Sequence, residues 1–154
     1  MANRNPLILM WGELHFVLLF SCSITGIRCS KSASVSTSIQ INTQNLSGTY
    51  KLTGITAKDN ATGIQIDLYS QLKDCQKDDL EILNANGTYQ YVDAGTQCSP
   101  PGDFTGSWSV IGSKITLDTN TGDIQKFDGK TLIVTSTETN NGSTYTVTQT
   151  YTKQ

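Results

Sequence analysis

The sequence predicts an all-β protein, folded as one small antiparallel up-and-down β-barrel of about eight strands. Three observations carry that expectation. Thr, Ser, Asn and Gly are abundant and charged residues make up only 16% of the chain, against a typical ~25%. Such a mix is poor in helix formers and rich in strand and turn chemistry. From Leu46 to the end, short runs of alternating apolar and polar residues succeed one another with no helical period. Between them stand Asn-Gly and Asp-Gly pairs, which accept the positive φ angles that tight hairpins demand. At 154 residues the chain has room for one domain.

The N-terminal stretch, residues 1–21, reads as an export signal. Arg4 gives it a weak positive start, and Leu14 to Phe20 form an apolar core too short for a spanning helix, which needs about 20 residues. It ends in Leu19-Phe20-Ser21-Cys22, an aliphatic residue, a small residue and then the cysteine that a lipoprotein signal peptidase requires. Cys22 is therefore the expected lipid attachment site. Cys29 competes, but the large charged Arg28 precedes it. Residues 22–45 are polar with little apolar periodicity and read as a flexible tether, a first strand at Val35 to Ile41 being the alternative.

The barrel domain is expected over residues 46–154. Tyr50 and Leu52 alternate with Lys51 and Thr53, and Ile64, Ile66 and Leu68 with Gln65 and Asp67. Leu80 and Ile82 mark the next strand, which Asn84 to Gly87 turn into Tyr89-Gln90-Tyr91. Trp108 and Val110 lead through Gly112-Ser113 to Ile115 and Leu117. Ile124 to Phe127 turn at Asp128-Gly129 into Leu132 and Val134, and Asn140-Asn141-Gly142 turn into Tyr145, Val147, Gln149 and Tyr151. Closing such a meander removes its exposed edges, so a barrel is favoured over an open sheet. A weak internal echo, Gly-x-aromatic-x-aliphatic-x-Gly, occurs at Gly48–Gly54 and Gly106–Gly112. Glycine there permits close backbone approach while the aromatic plugs the barrel beside it.

The opening Leu46-Ser47-Gly48-Thr49-Tyr50-Lys51-Leu52 resembles the first strand of the lipocalin-like domains common in lipoproteins of Bacteroidota. So, in order, do Asp74 to Asp79, Asn84 to Tyr89, Gly106 to Ser109 and Phe127 to Leu132. The chain departs from true lipocalins in having Gly48-x-Tyr50 where many have Gly-x-Trp, in its shorter length and in lacking a C-terminal helix. The resemblance implies a lipocalin-like barrel and an envelope location.

The chemistry available after cleavage is narrow. His15, the single histidine, leaves with the signal, so nucleophile–imidazole pairs are unavailable and a non-enzyme is expected. Asp78-Asp79 is read as a solvated acidic turn and not as a hydrolytic carboxylate pair. Counted from Leu46 there are eight Lys against twelve Asp or Glu, so no basic face exists for nucleic acid. Cys75 and Cys98 should be oxidised to each other in an exported protein, with Cα atoms about 5.5 Å apart. Two cysteines without histidine are too few to hold a metal, and no cofactor is expected. The sequons at Asn45, Asn60, Asn86 and Asn141 reflect an Asn- and Thr-rich composition, and no glycosylation is assigned.

Two functions remain. A small apolar ligand could sit among Tyr50, Tyr89, Tyr91 and Trp108, whose side chains combine an apolar body with a polar tip. Alternatively the barrel is filled, and its surface contacts another envelope protein through the loop Gly95 to Gly102, stiffened by Pro100 and Pro101. A barrel of eight strands is wide enough either to be packed solid or to hold one small ligand. A cavity of about 300 Å³ or more separates the two readings. In either case the protein is expected as a monomer, tied through a lipid anchor to the outer membrane.

Overall fold

A computed structural model describes residues 39–154, and the expected signal, Cys22 and Cys29 lie outside them. A helical turn α1 (Thr43–Leu46) precedes nine strands: β1 (Gly48–Asp59), β2 (Gln65–Asp67), β3 (Leu80–Leu83), β4 (Thr88–Val92), β5 (Phe104–Ile111), β6 (Lys114–Leu117), β7 (Asn120–Phe127), β8 (Thr131–Asn140) and β9 (Ser143–Lys153). A 3-10 turn (Tyr69–Gln71) and a second helical turn α2 (Asp74–Lys77) join β2 to β3. Every pairing is antiparallel and consecutive from β3 to β9, and β9 returns to β1 to close the ring. Eight strands thus form the barrel. β2 stands outside it, paired to the far half of β1 through Thr56↔Asp67 and Lys58↔Gln65, where the four-residue β3 no longer reaches.

One strand expectation is corrected here. The alternation of Ile64, Ile66 and Leu68 suggests a half-buried strand, yet all of β2 is exposed and Ile64 keeps 64% of its surface. Outside the barrel a strand has no interior to face, so its apolar alternation carries no burial. The phase of β3 is set by its hairpin with β4. Leu83 pairs with Tyr89 and Glu81 with Tyr91, which turns Glu81 and Leu83 inward and puts Leu80 and Ile82 on the other face.

Inside the barrel, Tyr50, Leu83, Tyr89, Trp108, Ile115, Ile124, Leu132, Val134 and Tyr151 form a single buried cluster with Leu46. The Gly-flanked aromatics of the internal echo occupy matching roles in it. A Cβ on Gly48 would collide with the Lys153 side chain, and one on Gly106 with the Asp118 carboxylate. Tyr50 and Trp108 are both buried beside them.

The residues just before β1 close one end. Asn42 caps α1, its side-chain oxygen accepting from the Asn45 amide at 2.9 Å. Leu46 is fully buried, Ile41 packs against the cluster, and the Tyr50 hydroxyl donates to the Leu46 carbonyl at 2.7 Å. Lys153 Nζ donates to the Asn45 carbonyl at 3.0 Å and lies over the Tyr50 and Phe127 rings at 5.6 and 5.9 Å. The last residues of the segment expected as a tether, 39–45, are therefore in contact with the barrel end.

Cys75 in α2 and Cys98 in the β4–β5 loop form a disulfide with Cα atoms 5.3 Å apart. Asp93 organises the same loop from within, its carboxylate accepting the amides of Cys98 and Gly102 at 3.0 and 3.1 Å. The Asp78-Asp79 pair is not a solvated turn. Asp79 is buried and accepts the Tyr91 hydroxyl, while Asp78 accepts the Thr96 amide at 2.8 Å. Both carboxylates help to hold the loop down.

Candidate ligand-binding cavity

The barrel is not packed solid. A cavity of about 540 Å³ enters it from the end opposite α1, where the β6–β7 turn and the far part of β8 form the mouth. Tyr50, Leu83, Tyr89, Ile115, Leu132, Val134 and Tyr151 form its buried walls, and Phe104, Asp118 to Thr121, Thr137 and Glu138 its exposed rim. Register explains the division. Residues at alternate positions of each strand face inward, and those near the closed end touch one another while those near the mouth do not.

The four residues expected to hold a ligand separate into two pairs. Tyr50 and Tyr89 line the cavity. Trp108 does not line it; it is buried with its indole Nε1 donating to the Asn84 carbonyl at 2.8 Å. Tyr91 does not line it either. Its ring stacks on Phe104 at 5.4 Å and 13°, and its hydroxyl is given to Asp79. Phe104, with Tyr89 edge-on at 5.5 Å, carries that aromatic stack to the rim. The disulfide-bound loop from Asp93 to Asp103 springs from the same strand ends, Tyr91 and Phe104, that flank the mouth.

Sequence reasoning missed Glu81, the most unusual group in the wall. As the polar residue between Leu80 and Ile82 it reads as solvent-facing. The hairpin register sends it inward, because Tyr89 faces in and its partner Leu83 must follow. The signal was the spacing of Leu83 and Tyr89 across the Asn84–Gly87 turn. Burial pushes the Glu81 carboxyl up to about 7, against the pull of the Tyr151 and Tyr89 phenols that face it. Burial likewise pushes Tyr50 up to about 12 and raises Tyr89 and Tyr151, with the Glu81 charge adding to both of the latter.

A pH dependence follows. Unfolded, Glu81 titrates near about 4.3. The folded protein holds this proton more tightly up to about 7. The native state therefore binds more protons across that window, so stability falls as pH rises through it and the loss is complete above it. Glu81→Gln removes this contribution. The stability difference between variant and parent should move by about 1–3 kcal/mol in the variant's favour between about pH 4 and about pH 8. Urea midpoints of both proteins at the two pH values check this, and an unchanged difference contradicts it.

Residues 46–153 match the family described as a lipocalin-like domain. No curated protein matches the chain.

Proposed function

Because the chain belongs to the lipocalin-like domain family, we propose that its barrel is a non-enzymatic binding module for a small, largely apolar ligand. The observation that carries this reading is the cavity of about 540 Å³, within the ordinary range for small-ligand sites and walled by tyrosines and aliphatic side chains with Glu81 and Gln149 among them. A filled barrel acting only through its outer surface would have no such space. The polar tips of Tyr50, Tyr89 and Tyr151 and the Glu81 carboxyl would orient the ligand, and the apolar walls would supply its burial.

Titration with the neutral fluorophore N-phenyl-1-naphthylamine tests this. Saturable binding at one site is expected, with Val134→Trp weakening it at least about tenfold by filling the cavity. The melting temperature of the variant verifies its fold. Absence of saturable binding, or equal binding by a folded Val134→Trp variant, overturns the reading.

We further propose that the module is a lipoprotein of the cell envelope, held to the outer membrane through Cys22. The apolar run before Ser21-Cys22 supports this, as does the oxidised Cys75–Cys98 pair, which suits an oxidising compartment. Cys22→Ala should move the protein from the membrane fraction to the soluble one, and Cys29→Ala should not. Release by the Cys29 change alone would reassign the anchor.

A further inference from the structure

The cavity contains a carboxylate that no cation pairs with among the described residues. Glu81 enters from β3, opposite Tyr50 of β1 and Tyr91 of β4 in the sheet register, with Tyr89 and Tyr151 beside it. No Lys, Arg or His is among the described residues lining the cavity. The ion pairs among the described residues lie elsewhere, at Lys77–Asp74, Lys114–Asp123 and Lys126–Asp128. Lys153, the cation nearest the buried cluster, is engaged at the closed end with the Asn45 carbonyl and the Tyr50 and Phe127 rings.

We propose that the cavity selects an amphiphile with a cationic, ammonium-type head, set against Glu81 and the aromatic faces of Tyr89 and Tyr151 with its apolar tail along Leu83, Leu132 and Val134. The inference rests on the barrel being a ligand cavity and adds the charge of what it holds. Burying a carboxylate without a counter-ion is costly, and a bound cation offsets that cost. Ammonium groups also gain from tyrosine faces in desolvated sites. An anionic head would meet Glu81 within and Asp118 and Glu138 at the rim, with no cation to receive it.

Burial brings the Glu81 carboxyl up to about 7. Burial holds Tyr50, Tyr89, Tyr91 and Tyr151 above their ordinary values. Asp118, at the rim, accepts the Ser107 amide at 2.7 Å, and Asp79, just before β3, accepts the Tyr91 hydroxyl. Preference for the cation should therefore grow as pH rises from about 5 to about 8 and Glu81 ionises.

Three probes of equal chain length, used below their micelle concentrations, test this: decyltrimethylammonium, decyl sulfate and decanol. At about pH 8 the full chain should bind the ammonium probe at least about tenfold more tightly than the sulfate. In Glu81→Gln, with its fold verified by melting, that ratio should fall toward one. Glu81→Asp should keep the preference for the cation. Equal affinities in the parent overturn the inference, as does a ratio that survives in Glu81→Gln, which would trace it to the net acidic surface. If decanol binds but charge makes no difference, only this inference fails. If none of the three binds, the cavity reading fails with it.

Discussion

Leu46→Ala should destabilise the barrel by about 2–5 kcal/mol, enough to lower its melting temperature by on the order of 10 °C or more. Leu46 is fully buried at the closed end, where its side chain meets the core cluster and its carbonyl takes the Tyr50 hydroxyl at 2.7 Å. Truncation leaves a cavity at the end of α1, and a single four-residue turn capped by Asn42 cannot collapse to fill it. Gln44→Ala, on the exposed side of the same turn, should leave stability within about 0.5 kcal/mol. Denaturant midpoints of the two variants give the comparison. A small effect at Leu46 would mean that the residues before β1 are an appendage and not part of the core.

Removing the disulfide by the paired change Cys75→Ser and Cys98→Ser should cost about 2–4 kcal/mol, the stabilisation expected for a bridge of this loop length. Its sequence separation of 23 residues encloses β3 and β4. The effect should not be uniform. Asp93 and Asp78 still receive the amides of Cys98, Gly102 and Thr96 in the double variant, but those bonds then hold the loop without a covalent anchor. Limited proteolysis should cut between Ala94 and Asp103 well before the barrel strands are cleaved. Cleavage of loop and barrel at the same rate would place the bridge within the global unfolding unit instead of the mouth loop.

Particular residues show what was legible in the sequence. The hairpins at Asn84–Gly87, Asp128-Gly129 and Asn140–Gly142 were legible because their chemistry is local: Gly87, Gly129, Asn141 and Gly142 all adopt positive φ. The Cys75–Cys98 pairing followed from the expectation of export and from the count of cysteines. The exposed face of β2 was not legible, since alternation reports periodicity and not whether a barrel interior lies beside the strand. Glu81 was missed for a related reason. Four residues of β3 carry too little pattern to set their own phase, and only the register across the turn to Tyr89 decides which side faces in. Of the four aromatics expected at a ligand, Tyr50 and Tyr89 reach the cavity, while Tyr91 and Trp108 are drawn away by polar partners at Asp79 and Asn84. Those partners lie outside the strands, Asp79 just before β3 and Asn84 in the β3–β4 turn, 12 and 24 residues away in sequence, and no local spacing announces them.

The account stands or falls on whether the cavity between Tyr50, Tyr89, Glu81 and Tyr151 holds a small molecule. The most direct measurement is native mass spectrometry of the protein purified without denaturation from its own host. The account predicts a mass excess of one small molecule per protein, lost on denaturation and absent from Val134→Trp. A mass equal to that of the protein alone under conditions that preserve the barrel, or an adduct that persists unchanged in the folded Val134→Trp variant, would contradict it.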